Sequence, residues 1–214
     1  MDPARPPRRG DRARRGLTDV AIDCFARYGF QGTSIDRIAR AAGLTKGAIY
    51  YHFRDKQDLL AAAVDDRIAE FQDRVERACE GLPADRALRR IADVCIEHAR
   101  SHDHPRFAIT LMIETIETNT KVSARLSEMM RRFRAFLRNL VQRGQEQGLF
   151  DAAVDPEAVA GAYTSCILGA EVQYYQDPRR FRFEDSVHAY IDQLIAGLAP
   201  GAPERLTARG VNDA

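Results

Sequence analysis

The chain has 214 residues, enough for one large domain or two small ones, and its 45% hydrophobic and 29% charged content is that of a globular protein. Its longest uncharged run, 158–170, is too short for the roughly 20 apolar residues of a membrane span. The arginine-bearing N-terminus has no apolar stretch, so no signal peptide is expected and the expected location is the cytoplasm. A net charge of +1 conceals an asymmetry: residues 1–56 hold 12 Lys/Arg against 6 Asp/Glu, and the remainder 20 against 25. A basic head on an acidic body implies that only the first quarter faces a polyanion.

Residues 1–11 (MDPARPPRRGD) lack an apolar anchor and are expected to form a disordered basic arm. From Leu17 the pattern turns helical, with Leu17, Val20, Ala21, Cys24, Phe25 and Tyr28 on one stripe and Gly29 placed as a C-cap. Thr33 is expected to cap a short helix whose inner face is Ile35, Ile38, Ala39 and Ala42, and Gly43 ends it. Leu44 should tuck inward, and Thr45 should cap a third helix running to Phe53. Asp55, with Asp58 three positions on, should open a long linking helix over about 56–80, and Gly81-Leu82-Pro83 marks a domain boundary. Beyond it the periodicity predicts helices over about 87–100, 106–118 and 121–147. Another starts at Asp155-Pro156, and a last covers about 184–198, with a loose tail from 200 to 214. The absence of alternating strand-like runs makes the fold all-α.

The chemistry concentrates in 33–53, TSIDRIARAAGLTKGAIYYHF. Two short helices meeting at a glycine turn are a helix-turn-helix, here over a head of residues 12–56. Leu44, Ile49 and Phe53 are expected to hold the second helix down, which leaves Thr45, Lys46, Gly47, Ala48, Tyr50, Tyr51 and His52 outward. Lys46 can donate to a guanine edge or a phosphate, Gly47 lets the backbone approach, and Tyr50, Tyr51 and His52 can reach phosphates. Lys56 places a charge at the start of the next helix, where N–H groups already favour an anion.

Residues 12–60 resemble the DNA-binding domain of TetR-family transcriptional regulators. The matching residues are Phe25-x-x-Tyr28-Gly29-Phe30, Thr33-Ser34-Ile35-x-x-Ile38-Ala39, Ala42-Gly43-Leu44-Thr45-Lys46-Gly47, Ile49-Tyr50-Tyr51-His52-Phe53 and Lys56-x-x-Leu59. The resemblance implies a homodimer that binds a double-stranded DNA operator, usually as a repressor, and is released by a small molecule held in the C-terminal domain. Carried over by residue, it implies DNA contacts from Thr33, Thr45, Lys46, Gly47, Tyr50, Tyr51, His52 and Lys56. An activator or effector-independent regulator, and a helical small-molecule or thiol-sensing protein without DNA binding, are the alternatives.

The ligand-binding and dimerisation domain is expected over 84–199. A mostly apolar pocket among Cys95, Phe107, Leu111, Phe133, Leu137, Tyr163 and Ile167 is expected. Glu114 would either orient a ligand there or pair with Arg134 or Arg138. The small residues Ala158, Gly161, Ala162, Ser165 and Gly169 recur at helical spacing, and the last helix offers Val187, Tyr190, Ile191, Leu194 and Ile195. Of these, Ala162, Ser165, Gly169, Val187, Tyr190, Ile191 and Leu194 are the expected dimer interface, a four-helix arrangement. Cys24, Cys79, Cys95 and Cys166 are dispersed and read as apolar fillers or, alternatively, a thiol sensor. His98 and His102 have a metal-ligand spacing, but the following Asp103-His104-Pro105 reads as a surface turn. No metal, cofactor or catalytic residue is expected, so the chain is not expected to be an enzyme.

Overall fold

The structure, a computed structural model, describes residues 9–101, 106–115 and 120–201. Residues 1–8 of the expected arm, the turn 102–105 with His102, and the tail 202–214 lie outside the described residues. The described residues form helices α1 (Arg9–Gly32), α2 (Ile35–Ala42), α3 (Lys46–His52), α4 (Lys56–Cys79), α5 (Ala84–Ala99), α6 (Arg106–Thr115), α7 (Thr120–Glu146), α8 (Pro156–Gln176) and α9 (Phe183–Leu198). The fold is all-α. Residues 9–11, expected in the arm, belong to α1. No helix among the described residues is long and apolar enough to cross a membrane.

The chain divides into two compact units, one of residues 1–71 with 110–127, the other of 72–109 with 128–214. In the first, α1 packs on α2 and α2 on α3. Leu17, Ala21, Ile22, Phe25, Ile38, Ile49, Phe53, Leu59 and Leu60 form its core. The α1 stripe ends sooner than its spacing suggests. Gly29, at φ 69 and ψ 171, breaks the helix, so Phe30 turns back to stack on Phe25 at 5.9 Å. Tyr28 is left 50% exposed, beneath the Arg37 guanidinium at 4.0 Å. Thr18 is buried, and its hydroxyl lies 2.8 Å from the Asp66 carboxylate on α4.

In the second unit α5, α8 and α9 pack together around Leu88, Ile91, Cys95, Tyr163, Ile167, Val187, Ile191 and Leu198. Asp155 caps α8 by accepting from the Glu157 amide, with Pro156 at the first helical position. The Asp151 amide donates to the Leu198 carbonyl at 2.8 Å, tying the end of α9 to the turn before α8. Cys79 and Cys95 are buried thiols here, as Cys24 is in the first unit, and burial raises the pKa of all three. Thiols held protonated by burial are poor nucleophiles.

Candidate nucleic-acid interface

The head is shaped by its caps. Ser34, rather than the expected Thr33, caps α2, its hydroxyl accepting from the Arg37 amide at 3.2 Å. Gly43 adopts φ 66 at the end of α2, the left-handed conformation a side chain resists. The Gly43 and Leu44 amides then close back on the carbonyls of Arg40 and Ala39. Thr45 caps α3, accepting from the Ala48 amide at 3.2 Å. Asp55 and Asp58 form a reciprocal box at α4: the Asp58 amide donates to Asp55 at 2.7 Å and the Arg54 amide to Asp58 at 3.1 Å. The Arg54 amide holds the Asp58 carboxyl below its ordinary pKa.

Helix α3 is held from beneath by Ile49, fully buried, and by Phe53 at its C-cap. Replacing a buried isoleucine by alanine costs ~2–5 kcal/mol, which measures how firmly the helix is seated. Leu44 departs from expectation: it is 44% exposed, because the left-handed turn at Gly43 directs it past the core. On the outward side stand Thr45, Lys46, Gly47, Tyr50 and Tyr51, the last 85% exposed, with Ala48 and His52 half-buried. The His52 and Tyr51 rings meet edge to face at 5.0 Å. Lys46 pairs with Asp36 of α2 at 2.7 Å, both side chains about half exposed. Pairs this exposed contribute ~0–1 kcal/mol, so little holds Lys46 to Asp36.

Two of the residues expected at DNA are committed inside the protein. Thr33 is 1% exposed; its hydroxyl donates to the Gly29 carbonyl at 2.7 Å, with the Cys24 carbonyl at 3.0 Å. Lys56 sends its ammonium to the carbonyls of Phe30 (2.7 Å) and Thr33 (2.9 Å), 4.2 Å from the Phe30 ring centroid. Partial burial lowers its pKa from the ordinary lysine value. The reason is shared: the chain leaving α1 at Gly29 exposes carbonyls that need donors, and these two side chains supply them. Hydrogen bonds to a charged group contribute ~1.5–3 kcal/mol, so Lys56→Met should lower unfolding free energy by about that much in urea melts. The salt dependence of DNA binding should not change, whereas loss of a phosphate contact lowers the log–log slope by about 0.9.

Of the residues expected in a pocket, Cys95, Leu137, Tyr163 and Ile167 are buried in the second unit, with Phe107 and Phe133 half-buried there; Leu111 and Glu114 belong to the first. Glu114 is exposed, which removes it as an interior polar handle. Tyr163 is core, fully buried with its hydroxyl donating to the Leu88 carbonyl at 2.8 Å. Among the expected dimer residues, Val187, Ile191 and Leu194 point into the second unit at 0%, 1% and 7% exposure, because α5 and α8 already cover that face of α9. Ala162 and Tyr190 are half-buried; Ser165 and Gly169 are exposed. Among the described residues no group of three or more His, Cys, Asp or Glu could hold a metal ion.

The sequence reading missed Arg37 and Arg54 on the first unit's surface. It also missed Glu171 of α8, which is only 9% exposed. The arginines were legible as charges near the turn. Glu171, one residue past an apolar run, gave no local sign of being inside.

Two short capped helices joined at a left-handed glycine, the second seated on one isoleucine with its outer face open, define a helix-turn-helix DNA-binding domain. Comparison with known proteins agrees. Residues 17–63 match the bacterial regulatory proteins of the tetR family, and residues 83–200 match the C-terminal domain of BetI-type transcriptional repressors. The chain belongs to the TetR family of transcriptional regulators, a family of regulators and not of enzymes. It is 23% identical over 184 residues to the fatty acid metabolism regulator protein of Bacillus subtilis, covering 85% of this chain and 93% of that one. A TetR-family regulator from Cytophaga hutchinsonii superposes with a TM-score of 0.79 at 20% identity, covering 92% and 99% of the two chains. A transcriptional regulator from Saccharomonospora viridis, solved with choline, gives a TM-score of 0.75 at 22% identity, covering 86% and 96%.

Proposed function

We propose that this regulator represses transcription in the cytoplasm by binding a near-palindromic DNA operator as a homodimer, and that a small, mostly apolar molecule in the second unit releases it. The observation that carries the reading is the outer face of α3. Lys46, Gly47, Tyr50 and Tyr51 are exposed there, and among the described residues Lys46 is restrained only by the exposed Asp36. Lys46 reads a base edge or a phosphate, the bare Gly47 lets the backbone approach, and Thr45, Tyr50, Tyr51 and His52 fix the helix against the groove walls. Arg37 and Arg54 extend the basic surface; Thr33 and Lys56 take part only by shaping the head.

The fluorescence anisotropy of DNA from upstream of the protein's own gene tests this. Lys46→Ala should weaken specific binding by ~1–3 kcal/mol if the lysine reads a base, and Tyr50→Phe should weaken specific and non-specific binding alike. Unchanged affinity in both variants would remove α3 as the reader.

A homodimer is supported by α8. Two of its small residues are not required by packing within the chain: a Cβ added at Gly161 or Gly169 meets nothing within 4 Å. Over 158–170 the helix carries no charge, although Ala158, Ser165 and Gly169 are exposed. We assign the dimer contact to Ala162, Ser165 and Gly169 of α8 with Tyr190 of α9, and withdraw Val187, Ile191 and Leu194 from it. The ligand reading is supported by the apolar interior of the second unit around Cys95, Leu137 and Ile167. One relative is named as a regulator of fatty acid metabolism, and a protein of this fold was solved with choline.

A further inference from the structure

Two polar groups on α8 lack partners inside the second unit. Glu171 is 9% exposed and makes neither a hydrogen bond nor an ion pair with any described residue. The Tyr175 hydroxyl is buried, also with no hydrogen-bond partner. They are separated by four residues, one helical turn, and so share a face of α8. Buried polar groups in folded proteins are otherwise almost always satisfied, so an unsatisfied buried hydroxyl one turn from a nine-tenths-buried carboxyl without a protein partner indicates something that binds between them.

The surroundings decide its chemistry. Ile167, one turn before Glu171, and Ala170 beside it are buried, so the carboxyl has apolar neighbours on its own helix. Among the described residues, the charged and titratable groups acting on the pair are the Cys95 thiol of α5, Tyr174 of α8 and Arg106 of α6. The thiol couples to Glu171, and the Arg106 guanidinium lies 5.8 Å from the Tyr175 ring centroid. Arg74 of α4 acts on Cys95. Burial alone pushes the Glu171 carboxyl up to about 8, with no protein cation among the causes to hold it ionised.

We propose that Glu171 and Tyr175 form the head-group seat for a lipophilic amine, bound as its ammonium ion with its hydrocarbon body in the apolar interior of the second unit. An ammonium supplies the charge that the carboxylate lacks, and its N–H groups can donate to the carboxylate and to the phenolic oxygen together. As it arrives the carboxyl gives up its proton to solvent. Neither a carboxylate nor a neutral alcohol brings the positive charge that would ionise Glu171, so against either the carboxyl keeps its proton and no charge-assisted bond forms. The proposal rests on the ligand-responsive reading above and specifies its ligand class.

Calorimetric titration of the full chain with octylammonium, 1-octanol and octanoate compares three head groups on one tail. Octylammonium should bind about tenfold or more tighter than either of the others. Glu171→Gln, nearly isosteric, should abolish that preference while leaving octanol affinity within about twofold, and Tyr175→Phe should weaken octylammonium alone by about threefold. Equal affinity for the three heads, a preference for octanoate, no octylammonium binding, or a preference that survives in Glu171→Gln overturns the seat. The wild-type comparison needs no variant to fold. DNA anisotropy in the same titrations separates the two readings. Release by octanol or octanoate but not octylammonium keeps ligand response and removes the ammonium seat. Octylammonium binding that leaves DNA bound keeps the seat and removes release.

Discussion

Replacing Glu171 by glutamine should make the protein more stable, and increasingly so as the pH rises. Burial raises this carboxyl from 4.5 to about 8. Below 4.5 both the native and unfolded chains hold the proton, and its effect on stability is nil. Between 4.5 and about 8 the unfolded chain has released it while the native chain keeps it, so native stability falls with rising pH. Each pH unit in that window removes about 1.4 kcal/mol, and from pH 5 to pH 8 the loss reaches roughly 3–4 kcal/mol as an upper bound. Above about 8 both states are ionised and the curve levels. Cys95 and Tyr175, the groups coupled to Glu171, are held protonated through this window by burial, so neither masks the effect. Urea melts at pH 5, 6.5 and 8, at one protein concentration, should show wild type and Glu171→Gln converging at pH 5 and separating by pH 8. Parallel curves would mean that the carboxyl is already satisfied in the native protein.

The same residue shows where sequence reading stops. What was legible was local. The Asp155-Pro156 start of α8, the Thr45 cap, the Asp55–Asp58 box and the Gly43 turn each depend on residues within four positions of one another. Thr33 and Ser34 were harder because both can cap, and burial of Thr33 against the end of α1 decided between them. Lys56 reaches carbonyls 26 and 23 residues earlier, a contact that no spacing rule contains. On α9 the sequence identified apolar residues correctly but could not say which neighbour they served. Val187 and Ile191 are buried within the second unit, which narrows the expected dimer surface to the small residues of α8 and Tyr190 that it already included.

A charge placed on that surface should therefore separate two effects that the sequence alone confounds. Gly169 is exposed and a Cβ there meets nothing within 4 Å, so Gly169→Glu starts without a clash at its base and can extend toward solvent. Removing a helical glycine also favours the helix by up to ~1 kcal/mol. Across a two-fold contact, however, the change appears twice and buries two carboxylates with no counter-charge, which a small-residue interface cannot accommodate. The result expected from light scattering is a folded monomer with the wild-type circular dichroism spectrum. Its grip on a palindromic site should fall by ~10²-fold or more, because the second head no longer binds at high effective concentration. Ile191→Glu should behave differently: at 1% exposure it buries a charge in the subunit core and should unfold the second unit rather than dissociate it. A Gly169→Glu protein that remains dimeric, or an Ile191→Glu protein that folds as a monomer, would return the interface to the apolar face of α9.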